Sequence, residues 1–146
     1  MVDPINLRVN GSSTFLKDAN TQMITISNTG NTATTKVMYS GYTGAWLAFQ
    51  IPVGFKFIAL SIQIQMAQTA TPTGAGDIAL SDGAAGVAGT RFWEFSGGLA
   101  STDIGGNMFQ SCDVYLDTWA AGEHVNCDFD STTNWGISIT GILTTV

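Results

Sequence analysis

The chain has 146 residues, enough for one domain that buries a core without help from disulfides or metals. Only 11% of its residues are charged, and 11 acidic against 5 basic groups leave a net charge of −6. That balance argues against nucleic-acid binding, which needs clustered Lys and Arg; here Arg8, Lys17, Lys36, Lys56 and Arg91 are scattered.

In chain order, the first segment stands apart. Ile5, Leu7 and Val9 alternate with Asn6, Arg8 and Asn10, small polar residues interrupt at 11–14, and Phe15-Leu16 form an isolated apolar pair. Residues 1–20 read either as an edge strand with its loop or as an extended arm whose apolar residues dock on another chain. Residues 21–146 read as one domain of short alternating segments punctuated by turns. Within it, Ile24 and Ile26 point one way in 22–28, Val37 and Tyr39 share a face in 35–40, and Leu47, Phe49 and Ile51 fall together in 46–51. The turn Ile51-Pro52-Val53-Gly54 leads into the most regular stretch, FKFIALSIQIQM at 55–66. A period of two puts Ile58, Leu60, Ile62, Ile64 and Met66 on a core face and Ala59, Ser61, Gln63 and Gln65 on a polar, uncharged face.

A small-residue loop at 67–76 follows, then short strands at 77–81 (Ile78, Leu80) and 91–95 (RFWEF). The last third holds a strand at 108–116 with Cys112, Val114 and Leu116 in step, one with Val125, Cys127 and Phe129, and a closing strand with Trp135, Ile137 and Ile139 running into Gly141 and Leu143. With no helical pattern, the fold class is all-β: an antiparallel β-sandwich or jelly roll of about eight or nine strands, with an extended N-terminal segment. An internal echo, IPVGFKFIALSI and WAAGEHVNCDF, repeats a glycine turn feeding an alternating strand.

Nothing in the sequence has the spacing of catalytic or metal chemistry, so no enzyme, cofactor or metal is expected. The lone histidine, His124, lies opposite Val125 and Cys127 and reads as exposed; Cys127 is out of phase with it for a Cys–His pair. Asp113, Asp117, Asp128 and Asp130 read as solvated strand residues, and 77–82 lacks the oxygen spacing of a calcium loop. Cys112 and Cys127 either pair across adjacent strands or stay as two buried thiols. Among the aromatics, Trp46 and Trp135 sit in buried-strand patterns, which leaves Tyr42 and Trp119, in turn-like sequences, as the candidate exposed platforms for a sugar.

No run approaches the roughly 18 apolar residues of a membrane span, and MVDPINLRV lacks the basic start and apolar run of a signal peptide. A surface so poor in charge relies on neutral polar groups or on cover by neighbouring subunits, which suits extracellular and virion proteins better than a free cytosolic enzyme.

The order IPVGFKFIALSI, a Thr/Gly/Ala loop, DIALSDGAA, RFWEF, WAAGEHVNCDF and WGISITGIL resembles small β-sandwich virion proteins of tailed bacteriophages, namely head decoration (cement) proteins and related fibre or receptor-binding domains. The likeness spans roughly 50–146 and rests on Pro52-Val53-Gly54, Ala121-Gly122 and Ile139-Thr140-Gly141. It implies a non-enzymatic homotrimer, made in the host cytoplasm and carried on the virion, that clamps the major capsid protein through a terminal arm. The arm contacts would be Ile5, Leu7, Val9, Phe15 and Leu16. The alternative is a receptor- or carbohydrate-binding module of a fibre or spike. Neither reading involves nucleic acid or membrane.

Overall fold

The structure is a computed structural model, which describes residues 21–30, 34–40, 47–67, 78–87, 89–95, 107–129 and 134–146. The arm residues Ile5, Leu7, Val9, Phe15 and Leu16, together with Tyr42 and Trp46, lie outside the described residues.

Ten strands are described: β1 (Thr21–Gly30), β2 (Thr34–Val37), β3 (Tyr39–Ser40), β4 (Leu47–Ala48), β5 (Phe55–Ala67), β6 (Ile78–Ser81), β7 (Arg91–Phe95), β8 (Asn107–Trp119), β9 (Asn126–Phe129) and β10 (Asn134–Thr145). They form a six-stranded sheet in the order β4-β3-β1-β10-β5-β8 and a four-stranded sheet in the order β2-β9-β6-β7, with every pairing antiparallel. The fold is thus an all-β two-sheet sandwich. Its core draws on both sheets: Ile24, Ile26, Phe57, Ile62, Ile64, Met66, Ile137 and Ile139 from the larger, Ile78, Leu80, Cys127 and Phe129 from the smaller.

The closing strand follows its sequence pattern closely. Trp135, Ile137, Ile139, Gly141 and Leu143 are all buried, and β10 sits centrally between β1 and β5.

β5 departs from a simple alternation. Thr140 pairs with Ser61, but Gly141 pairs with Ala59, so Leu60 is the extra residue of a β-bulge. A bulge reverses the side-chain phase. Ile62, Ile64 and Met66 face the core as expected, whereas before the bulge the inward residues are Phe57 and Ala59, both fully buried. Ile58 and Leu60, expected on the core face, instead belong to the other side, where Ile58 pairs with Ile142. Gly141 makes this arrangement possible. A Cβ there would run into the carbonyl oxygen of Ile58 and the ring of Phe57.

A second departure is at Met38. The expected single strand with Val37 and Tyr39 on one face is two strands in different sheets, β2 and β3. Met38 is the crossing point: its N–H donates to Val125 O and its carbonyl accepts from Phe49 N–H, both at 2.8 Å, and its side chain is fully buried. The switch of sheet leaves Val37 buried and Tyr39 exposed.

The two echoed turns share a geometry and lie side by side. Phe55 N–H closes on Pro52 O at 3.1 Å with Gly54 at φ 82°, and Glu123 N–H closes on Ala120 O at 3.2 Å with Gly122 at φ 86°. A positive φ at the third turn position is what demands glycine in each. The turns are tied together by Gly122 N–H to Ile51 O at 2.8 Å and Ile51 N–H to Glu123 O at 2.9 Å.

Candidate binding surface

The sheet pattern produces two faces of very different chemistry. On the larger sheet the alternation that buries Ile24, Ile26, Ile62, Ile64, Ile137 and Ile139 sends Thr25, Ser27, Ser61, Gln63, Gln65, Ser138 and Thr140 outward. Cross-strand register puts these in rows: Ser27 beside Ser138 beside Gln63 beside Ser111, and Thr25 beside Thr140 beside Ser61 beside Asp113. Thr25 and Thr140 share a hydroxyl hydrogen bond at 3.1 Å. Asp113 is the one ionisable member of these rows.

A shallow groove of about 220 Å³ crosses this face, lined by Ser27, Asn28, Thr29, Gln63, Ile64, Gln65, Gly136, Ile137 and Ser138. None of these side chains is ionisable. Gly136 puts no side chain between β1 and β5 there, and a Cβ in its place would meet only Thr29 Cγ2 at 3.6 Å. Asn28 shapes the rim, donating to Val37 O and accepting from Thr29 N–H. Gln63 and Gln65 were legible in the sequence as a polar face. The signal for the β1 and β10 contributors is weaker, namely their alternation with Ile26 and Ile137.

Beyond the Leu60 bulge the outer face changes character: Met23, Ile142 and Ile58 stand in one cross-strand row. Next to it Lys56 and Asp117 pair at 2.6 Å, and the hydrogen bond to Asp117 raises the lysine pKa.

Trp119 is not an exposed platform. β8 runs on past 116 to end at Trp119, which is 1% exposed, lies opposite Phe57 at a ring-centroid distance of 5.7 Å, and donates its indole N–H to Ser81 O at 3.2 Å. The turn-like residues that follow it disguised a core residue. Exposed large apolar side chains among the described residues are instead Tyr39, Val53, Val87, Tyr115 and Val146.

Two other expectations are corrected. His124 is only half-exposed, with Nδ1 buried, because residues 122–124 bridge to 50–51 and its N–H donates to Gly83 O at 3.1 Å. Asp128 is 2% exposed and not solvated; it accepts from Arg91 Nε at 3.2 Å on the outer face of the smaller sheet. Asp113 and Asp117 are exposed as expected, and Asp130 lies outside the described residues.

The smaller sheet's outer face is covered in part by the loop at 82–90, and buried Asn126 holds that loop. Its amide nitrogen lies 3.1 Å from the carbonyls of Asp82, Ala84 and Val87, and its Oδ1 accepts from Gly86 N–H at 3.0 Å. Asp82 closes the loop base by accepting from Thr90 N–H at 2.7 Å. Asp82 and Asn126 therefore have structural work within the loop.

The cysteines are unpaired thiols, Cys112 half-buried on β8 and Cys127 buried on β9. They belong to different sheets, which excludes the adjacent-strand pairing. Burial pushes the Cys127 thiol up to about 12, so its nucleophilic thiolate is suppressed at neutral pH. Among the described residues, no group of three or more His, Cys, Asp or Glu is placed to hold a metal ion, and no helix is long and apolar enough to cross a membrane.

No protein-family model matches the chain. No curated protein matches it either. Among solved structures, the chain is similar to dimeric latent PorU from Porphyromonas gingivalis, with 9% sequence identity and a TM-score of 0.43. The match covers 93% of this chain but only 14% of that one, and is too distant to bear on function.

Proposed function

We propose that the chain is a structural, non-catalytic virion protein of the capsid-decoration kind, which adheres to the outside of a shell built by a major capsid protein. The observation that carries this reading is the outer face of the six-stranded sheet. It is broad and regular, and its central rows offer hydroxyls and carboxamides with Asp113 as the one ionisable group. Such a face suits a large, weakly polar contact between proteins, since desolvating neutral groups that find hydrogen-bond partners costs far less than desolvating charges. Contacts of that kind are individually weak and add through multivalency, which fits the homotrimer that the resemblance implies. The resemblance further implies that the arm residues Ile5, Leu7, Val9, Phe15 and Leu16 contribute.

A receptor- or carbohydrate-binding role is the second reading, favoured by the groove around Gly136 with its uncharged hydrogen-bonding rim. Among the described residues no aromatic side chain lines that groove, so its described lining offers none of the stacking surface that sugar rings use.

Co-sedimentation with purified shells, run beside a screen of neutral glycans, tests the two. Saturable binding to shells and none to glycans is expected. Glycan binding without shell binding would transfer the assignment to the second reading.

A further inference from the structure

Among the described strands, β8 is the outermost of the six-stranded sheet and is 13 residues long. An edge of that length is a template for pairing with another chain unless lysine, proline or bulges blunt it. NMFQSCDVYLDTW has neither lysine nor proline. Its irregularities are confined to one end: the register with β5 slips on both sides of Leu116, but from Asn107 to Asp113 it is unbroken. No described residue makes a backbone hydrogen bond to the far edge of 110–118.

The side chains on this edge are equally unfinished. Cys112 and Leu116 lie opposite Ile62 and Ala59, both fully buried, yet Cys112, Val114 and Leu116 are themselves only half-buried. The row would be completed by an apolar row on one further strand. The other face of β8 exposes Ser111, Asp113 and Tyr115. A strand that fits must therefore alternate apolar residues with polar ones, and a cation on the polar side would meet Asp113.

The sequence 5–10, outside the described residues, has that pattern: Ile5, Leu7 and Val9 on one face, Asn6, Arg8 and Asn10 on the other. We propose that this segment of one copy adds as a strand to the β8 edge of a second copy. Ile5, Leu7 and Val9 would extend the row of Cys112, Val114 and Leu116, and Arg8 would face Asp113. The segment leads into β1 at Thr21, and β10 and β5 stand between β1 and β8. A neighbour's edge can be reached without laying the linker over the chain's own sheet. Donor and acceptor surfaces differ, so one-way donation builds a ring or an open chain of copies, and reciprocal exchange builds a dimer. The inference concerns copies of this chain alone and stands without the virion reading.

The test uses the full-length protein without capsids: light-scattering mass over a concentration series, with amide exchange of 110–114 measured in parallel. The wild type is expected to associate, with those of the 110–114 amides that point away from β5 protected in the oligomer and exchanging fast on dilution to monomer. Arg8→Glu and Asp113→Lys should each weaken association by about fivefold or more, and the double charge swap should recover most of that loss. Leu7→Asp should abolish association in the same range. A protein that stays monomeric throughout overturns the proposal. So do an oligomer whose outward-pointing 110–114 amides exchange as in the monomer, a swap that does not rescue, and outward-pointing amides already protected in the monomer, which would mean the chain covers its own edge.

Discussion

Replacing Gly141 by alanine tests the most unusual packing in the molecule. The residue is in the middle of β10 at ordinary strand dihedrals, so its glycine is required by space and not by φ. A Cβ at this position would meet the Ile58 carbonyl oxygen, and it would come within 2.6 Å of Phe57 Cε2 and Cζ. Neither neighbour can yield cheaply. The carbonyl belongs to the backbone beside the Leu60 bulge, and the Phe57 ring is fully buried between Phe49, at a centroid distance of 5.5 Å, and Trp119, at 5.7 Å. An extra buried methyl contributes about 0.8 kcal/mol when it fits. Overpacking a rigid site costs about 1–3 kcal/mol, and a backbone clash lies at the upper end. The net expectation is a loss of about 2 kcal/mol, or a Tm lower by roughly 4–8 °C for a domain of this size. Gly136→Ala is the internal control: it is on the same strand, and its Cβ would find only Thr29 Cγ2 at 3.6 Å, an ordinary contact. It should change stability by less than about 0.5 kcal/mol. Urea unfolding of both variants decides the matter. Equal tolerance at 141 and 136 would refute the account of the bulge and the ring packed over it.

Three further outcomes follow from the same packing. Ile62→Asp places an unpaired charge where exposure is 0%, costing several kcal/mol and preventing folding, whereas Gln63→Asp on the outer face should fold, as circular dichroism will show. Asn126→Ala removes the donor near three loop carbonyls and should cost about 2–3 kcal/mol, with limited proteolysis moving to 82–90 before the rest of the chain is cut. For Cys127, the unfolded thiol ionises near 9.0 and the folded one near 12. Between those values the folded state holds the extra proton, so stability is intact below pH 9 and falls as pH rises, by up to about 1.4 kcal/mol per pH unit. A urea midpoint series from pH 7 to 11 reads this, and a thiol reagent at pH 8, applied to dilute monomer, should modify half-buried Cys112 rapidly and Cys127 only on unfolding.

The sandwich was legible in the sequence because most strands bury one face, and a period of two survives wherever the ladder is regular, as in Trp135, Ile137, Ile139 and Leu143. What escaped were the places where backbone geometry breaks the period. At Leu60 one inserted residue exchanges the faces, and Phe57 and Ala59 take the core positions that alternation assigns to Ile58 and Leu60. At Met38 the chain leaves one sheet for the other, so adjacent residues follow the alternation of different sheets. Trp119 is hidden by its neighbours: a tight turn follows at once and suggests exposure, although the indole packs on Phe57. Asp128 and Asn126 sit on the outward phase of β9, where pattern alone predicts solvent; a loop held by Asn126 and the Arg91 pairing are tertiary facts that no local spacing encodes. The neutral outer face was half legible. Gln63 and Gln65 announced it, but its extent depends on the order β1-β10-β5-β8, which places Ser27, Ser138, Gln63 and Ser111 in one row.

The claim that this neutral face is the adhesive surface is tested most directly by co-sedimentation with purified shells of the wild type and of Gln63→Arg, a substitution at the exposed centre of that row. The account predicts that the variant keeps the wild-type unfolding midpoint and loses shell binding by at least about tenfold, because a buried contact must then desolvate an unpaired guanidinium. Undiminished binding by a correctly folded Gln63→Arg protein would contradict it.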